Sequence, residues 1–236
     1  MKKEALHPLV YKGIAHRGLH DATTMENSLG AFAKAVEAGM AIELDIHLTK
    51  DKRLVVCHDS SLLRVTGREG RIEDLTLEEI QGGYRLLDGQ KIPSFEEVLR
   101  LVDERVPIVV ELKATNKTCF AVGRAARRAL AGKDPKNFCF ISFDPRAILV
   151  PGRFPRGLLV CKERQDMFMF RSLFEFLDVE DCLVEDPRVV SFRKRGLVNV
   201  WTIREEQNLQ RVLPYVDMVT FEHLSPSLVQ ETLKDR

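Results

Sequence analysis

Two acidic residues, Glu43 and Asp45, sit two positions apart in the run Ala41-Ile42-Glu43-Leu44-Asp45-Ile46-His47-Leu48. On an extended strand such a pair shares one face, roughly 7 Å apart along the backbone. At an effective dielectric near 20, their charges repel by about 2.4 kcal/mol. Glu111, at the end of another apolar run, makes the site worse unless a cation resides there. Three carboxylates form an all-oxygen donor set, which suits Mg2+ or Ca2+ better than zinc, since zinc favours His and Cys. One E-x-D on a strand is more often a wet surface than a metal site. Glu111 at a matching strand end favours the metal.

Two histidines converge on the same group. His16 ends the first apolar run and is followed by Arg17-Gly18, while His58-Asp59 ends a run just beyond Asp45. Cleaving a phosphate ester needs one group to take a proton from the attacking oxygen and another to protonate the departing one. Imidazole, with a pKa near 6.5, does either at neutral pH. Arg17 and Lys113 are cations placed to neutralise phosphate oxygens, or, more plainly, to pair with the carboxylates. His7, His20, His47 and His223 lack such company and read as structural or exposed.

These groups need a scaffold that brings strand ends together. Apolar strand-like runs fall at 13–16, 41–48, 107–113, 137–142, 157–161, 182–185, 198–202 and 217–221. Helix-like stretches lie between them, including one from Asn27 or Ser28 to Gly39 and one opening on the capping box Ser94-Phe95-Glu96-Glu97. Strands alternating with helices imply parallel pairing. Eight such units in 236 residues predict a closed (β/α)8 TIM barrel, with an open doubly wound sheet as the alternative. In a barrel, the C-terminal strand ends carry the chemistry. His16, Glu43, Asp45 and Glu111 all fall there.

Two departures from simple alternation bear on the site. Residues 49–53 are too few for a crossover helix, so 54–58 must return as an antiparallel hairpin strand. That register sets Asp45 opposite about Cys57 and returns His58 to the level of Glu43. Residues 60–90 are too long and polar for an ordinary loop. They read as a small inserted subdomain, with a weak helix at 75–81, within a single domain spanning 1–236.

The 36 Lys and Arg against 35 Asp and Glu leave a net charge of +1. A chain so balanced has no global footprint for nucleic acid or an anionic membrane. No apolar run approaches a membrane span, and Met1–Pro8 has no apolar core for a signal peptide. Five cysteines without a CxxC pattern read as buried thiols in a reducing compartment, with the cytoplasm the simplest address.

The ordered set His16-Arg17-Gly18, Glu26-Asn27-Ser28, Glu43-x-Asp45, Thr49-Lys50-Asp51, His58-Asp59, Ile92-Pro93-Ser94-Phe95-Glu96-Glu97-Val98-Leu99, Glu111-x-Lys113, Ser142-Phe143 and Trp201-Thr202 resembles the glycerophosphodiester phosphodiesterases. The resemblance implies a barrel with an insert after the HD motif. It further implies one divalent cation on Glu43, Asp45 and Glu111, and His16 and His58 as the acid/base pair. Arg17 and Lys113 would then hold the phosphate, with Glu26, Asn27 and Asp59 in support. The implied reaction cleaves a small glycerophosphodiester to sn-glycerol 3-phosphate and an alcohol.

The C-terminal third departs from the family pattern, with Ile203-Arg204 after the Trp-Thr pair and Thr220-Phe221-Glu222 at the last strand. Both lie near strand ends that face the alcohol or glycerol part. Trp201 either stacks on the substrate or fills the barrel. Phe168, Phe170, Phe174 and Phe176 read as a helix packing face, because 170 and 174 are four apart. Rival readings are a phosphodiesterase on lysophospholipids, a non-catalytic barrel binding a phosphorylated ligand, and a metal-dependent aldolase or isomerase.

Overall fold

Eight parallel strands close on themselves in the computed structural model, which describes residues 6–150 and 152–234. Residues 1–5, part of the amino-terminal segment considered above, lie outside it. The strands are β1 (Ile14–Ala15), β2 (Ala41–Leu48), β4 (Ile108–Leu112), β5 (Phe138–Ser142), β6 (Arg156–Val160), β7 (Phe176–Glu180), β8 (Leu197–Ile203) and β9 (Met218–Phe221). They follow in order round the ring, and β1 pairs with both β2 and β9 to close it. A further short strand, β3 (Leu54–Val56), runs antiparallel beside β2. The accessible surface is 10745 Å², against roughly 10,800 Å² from the scaling for one folded unit of this mass.

Alternation along each strand sorts two cores. Ile42, Leu44 and Ile46 of β2 and Ile108, Val110 and Leu112 of β4 point outward to the helices. Ala41, Val109, Cys139, Phe176, Leu197 and Met218 point into the barrel, joined by Leu6 and by Val10 of the 3-10 turn Pro8–Lys12. Gly157 belongs to this interior, because a Cβ there would lie 2.1 Å from the Phe176 ring.

The outer helices are α1 (Leu29–Glu37), α4 (Phe95–Val102), α5 (Cys119–Ala129), α6 (Pro145–Ile148), α7 (Pro187–Arg193), α8 (Glu206–Val212) and α9 (Pro226–Leu233). Ser28 caps α1 by accepting from Ala31 N, and Ser94 and Glu97 form the expected capping box on α4. Residues 60–90 hold α2 (Leu63–Thr66), a 3-10 turn at Ile72–Asp74 and α3 (Leu77–Gly83), the last where the weak helix was expected. Leu62, Val65, Ile72, Ile80 and Tyr84 cluster there with Val55 and Cys57 of the hairpin.

Three expectations fail. The strand expected at 182–185 is instead β7, at Phe176–Glu180, and Asp181–Leu183 is a 3-10 turn. Asp178 breaks the apolar run, which hid the alternation. The aromatic group is no helix face: the 3-10 run ends at Leu173, and Phe176 is a barrel strand residue. Not every cysteine is buried either, since Cys161 is intermediate and Cys182 exposed.

Candidate active site

The mouth is assembled from strand ends. His16-Arg17-Gly18 leaves β1 through a tight turn in which Gly18 N donates to Ala15 O at 3.2 Å. Arg17 and Gly18 both have left-handed backbone, with φ 56° and 82°. A Cβ on Gly18 would lie 2.8 Å from the Ala31 backbone of α1, so glycine alone fits. The turn aims the Arg17 N–H at Glu43 Oε2, 3.1 Å away. Asn27, also left-handed, donates from Nδ2 to Asp45 Oδ2 at 2.8 Å.

The hairpin supplies the second histidine. Cys57 N donates to Asp45 O at 3.1 Å, the register read from the turn length. His58 follows directly, with Nδ1 2.7 Å from Asp59 Oδ1, and Asp59 in turn accepts from Arg64 Nε. Arg64 also bonds Glu26, which bonds Arg17, so one chain of charges links His58 to Arg17.

Glu43, Asp45 and Glu111 are buried, and one oxygen from each lies within 4.8 Å of the others. This buried acidic cluster could hold a metal ion. Lys113 Nζ lies 2.6 Å from Glu111 Oε1 and 2.9 Å from Asp45 Oδ1. Arg17 Nε lies 3.4 Å from Asp45 Oδ2. Asp45 Oδ1 meets Lys113 Nζ, and the three carboxylates together exceed the two cations, Lys113 and Arg17, that touch them. The donor set therefore fits an oxygen-seeking divalent cation.

The local electrostatics are uneven. Burial, helped by Asp45 and Glu111, pushes the Glu43 carboxyl well above its usual range. Burial raises Glu111 to about 7 against the pull of Lys113. Asp45 is as buried, yet Lys113 and Arg17 hold it below the carboxylate range. Burial lowers both His16 and His58, with Glu222 opposing at His16 and Asp45 at His58.

His16, Arg17, Glu43, His58, Glu111 and Trp201 line one cavity of about 140 Å³. Trp201 Nε1 donates to Asp178 O at 3.2 Å, and its ring meets Phe143 edge-on. Beside it lies a wider groove of about 750 Å³, which shares Glu111 and Phe143 and includes Lys113, Arg146, Arg164 and Phe170.

Several residues here were missed from sequence. Glu222, following β9, receives His16 Nδ1 at 2.6 Å and also pairs with Arg204. The Thr220-Phe221-Glu222 departure from the family pattern pointed to this strand end but not to a bond with His16. Asp178, Asn199 and Thr220 are polar residues buried inside the barrel. The solitary reading of three histidines is also corrected: His20 Nε2 lies 3.4 Å from Glu222, His223 Nε2 lies 3.7 Å from it, and His47 Nε2 lies 3.0 Å from the His58 carbonyl. The chain folds these back onto the mouth, which local sequence does not reveal.

Fold and site together define a (β/α)8-barrel enzyme with its polar constellation at the C-terminal strand ends. The chain belongs to the glycerophosphoryl diester phosphodiesterase family, whose model matches residues 16–147, and is thus a phosphoric diester hydrolase. YhdW of Bacillus subtilis, provisionally named a glycerophosphodiester phosphodiesterase, is 28% identical over 84% of this chain and 88% of its own. Human lysophospholipase D GDPD1 is 28% identical over 85% of this chain and 79% of its own. The structure of a phosphodiesterase from Oleispira antarctica, in complex with the product sn-glycerol-3-phosphate, superposes with TM-score 0.81 at 21% identity, covering 94% of this chain and 96% of that one. Among the described residues, no helix is long and apolar enough to cross a membrane.

Proposed function

We propose that this chain hydrolyses small glycerophosphodiesters to sn-glycerol 3-phosphate and a free alcohol, using one divalent cation, Mg2+ or Ca2+, and two histidines. The observation that carries the reading is the single cavity shared by His16, His58, Glu43, Glu111 and Arg17. The product named for the Oleispira barrel is the same compound.

Glu43, Asp45 and Glu111 would hold the cation. When bound, it polarises a non-bridging phosphate oxygen and offsets charge developing there. Arg17 and Lys113 add positive charge at the phosphate. A carboxylate only accepts, so Glu222 fixes the His16 proton on Nδ1 and leaves Nε2 as the base. His16 takes the proton of the attacking oxygen as the new P–O bond forms. His58, oriented by Asp59, delivers a proton to the departing alcohol oxygen as its P–O bond breaks. Trp201 borders the substrate as an apolar wall, while Glu26 and Asn27 hold Arg17 and Asp45 in place.

The attacking oxygen belongs to water or to the substrate's own 2-hydroxyl, the latter giving a cyclic phosphate that water then opens. Stereochemistry at phosphorus separates them, because one displacement inverts and two retain.

The chain is read as one domain, with residues 60–90 as an insert beside the mouth. The five free thiols fit a reducing compartment, and we place the protein in the cytoplasm.

A second reading, cleavage of lysophospholipids, is favoured by the similarity to human lysophospholipase D GDPD1. A coupled sn-glycerol 3-phosphate assay over several head groups, with and without EDTA, tests the first. Turnover of glycerophosphocholine or glycerophosphoethanolamine without micelles supports it. Turnover confined to long-chain substrates in detergent overturns it in favour of the second, and no turnover with retained phosphate binding leaves a ligand-binding barrel.

A further inference from the structure

Opposite the acidic cluster, the barrel interior carries a second polar group that the reaction above does not use. Asp178 on β7, Asn199 on β8 and Thr220 on β9 are each at most 2% exposed. Asn199 Nδ2 donates to Asp178 Oδ1 and to Thr220 Oγ1, both at 2.8 Å. Asp178 and Thr220 line the catalytic cavity, as do the apolar Ile141 and Leu159.

Three hydrogen-bonding capacities remain unmet. Asn199 Oδ1 is buried with no partner. Asp178 spends one carboxyl oxygen on Asn199, and no described residue bonds the other. The Thr220 hydroxyl accepts from Asn199 and so keeps its proton to donate. A buried polar atom left without a partner, as Asn199 Oδ1 is, is costly, and native interiors contain few of them. These groups call for an occupant that both donates and accepts.

A phosphate group does not qualify, because it brings no donor for the Asn199 oxygen. An alcohol hydroxyl qualifies, since it does both. We propose that Asp178, Asn199 and Thr220 form a polyol subsite that binds the terminal hydroxyl of the substrate's glycerol part and so selects glycerol over deoxy analogues. This rests on the reaction proposed above and adds an orientation to it. The glycerol end lies deep in the barrel, and the departing alcohol lies toward the open groove beside Arg146 and Phe170.

The test compares glycerophosphocholine with its analogue built on propane-1,2-diol, which keeps the 2-hydroxyl and lacks only the terminal one. The ratio of their kcat/KM values should be at least about 10 for the intact enzyme, since a site built to bond a hydroxyl rejects the compound lacking it. Asn199→Leu, Thr220→Val and Asp178→Asn should each bring that ratio below about 3. Thr220→Val keeps side-chain shape, so it reports even where Asn199→Leu fails to fold. An intact enzyme with a ratio near 1, or folded variants that keep the full ratio, overturns the subsite.

Calorimetry with sn-glycerol 3-phosphate and propane-1,2-diol 1-phosphate gives a readout free of turnover. The first should bind at least about tenfold more tightly to the intact protein, and the gap should close in the variants. Should no glycerophosphodiester turn over at all, the reaction falls, and this pair still decides the subsite.

Discussion

His16 Nδ1 lies 2.6 Å from Glu222 Oε2, a contact across 206 residues that joins the first barrel strand to the last. The carboxylate fixes both ring orientation and tautomer, so in the proposed reaction it acts through His16.

Glu222→Gln should therefore lower kcat by about 10–100-fold with little change in KM, because the amide can present a donor where an acceptor is needed. Glu222→Asp, which keeps the charge, should recover part of that loss. Steady-state kinetics on one glycerophosphodiester decides it; equal loss in both variants would mean that Glu222 only supports the fold.

His16→Ala and His58→Ala should each cost about 10²–10⁴ in kcat. Affinity for sn-glycerol 3-phosphate should stay within a fewfold. Unchanged turnover in either variant rejects that histidine's assignment.

Chelation bears on the carboxylate cluster. EDTA should abolish activity, and added Mg2+ or Ca2+ should restore it. The same ions should raise the melting temperature, since a ligand bound only by the folded state stabilises it. Glu111→Gln should remove both effects at millimolar metal. Full activity after exhaustive chelation contradicts the metal assignment.

Burial disfavours the imidazolium form, so the folded pKa of His16 lies below its usual 6.5. A base works when neutral, and the neutral form therefore persists further into acid. The acidic limb of the kcat/KM profile should have its midpoint below pH 6.5. A midpoint above that value would show that the Glu222 contact outweighs burial.

Asp178 carries a stability cost with a definite pH window. Burial raises its carboxyl to about 7, whereas an unfolded chain ionises near 3.9. Between these values the unfolded chain releases the proton while the folded chain keeps it. Stability thus falls as pH rises from 4 to 7, by up to about 4 kcal/mol. Asp178→Asn should be near neutral at pH 4 and stabilising by about 2–4 kcal/mol at pH 8 in urea titrations. A gain in stability alongside lost glycerol selectivity is the trade expected of a binding group.

Most of the barrel was readable because outward and inward faces alternate and the helices carry clear caps. Strand β7 escaped because Asp178 interrupts it, and the exception lies in the catalytic cavity. The carboxylates and both histidines were legible from strand-end positions and from the short turn at 49–53. Glu222, Asn199 and Thr220 were not, because their meaning depends on which distant strand closes the ring. Local sequence contains no trace of that neighbour.

The β2–β3 hairpin has one more implication. Asp45 and His58 ride on the same two-stranded ribbon, tied by the Cys57 N–H to the Asp45 carbonyl. Their separation is set by main-chain pairing, whichever side chains surround them. Adding or deleting a single residue in the 49–53 bend would offset one strand against the other and turn alternate side chains to the opposite face. At this bend a single codon would therefore part the proposed acid from the acidic cluster.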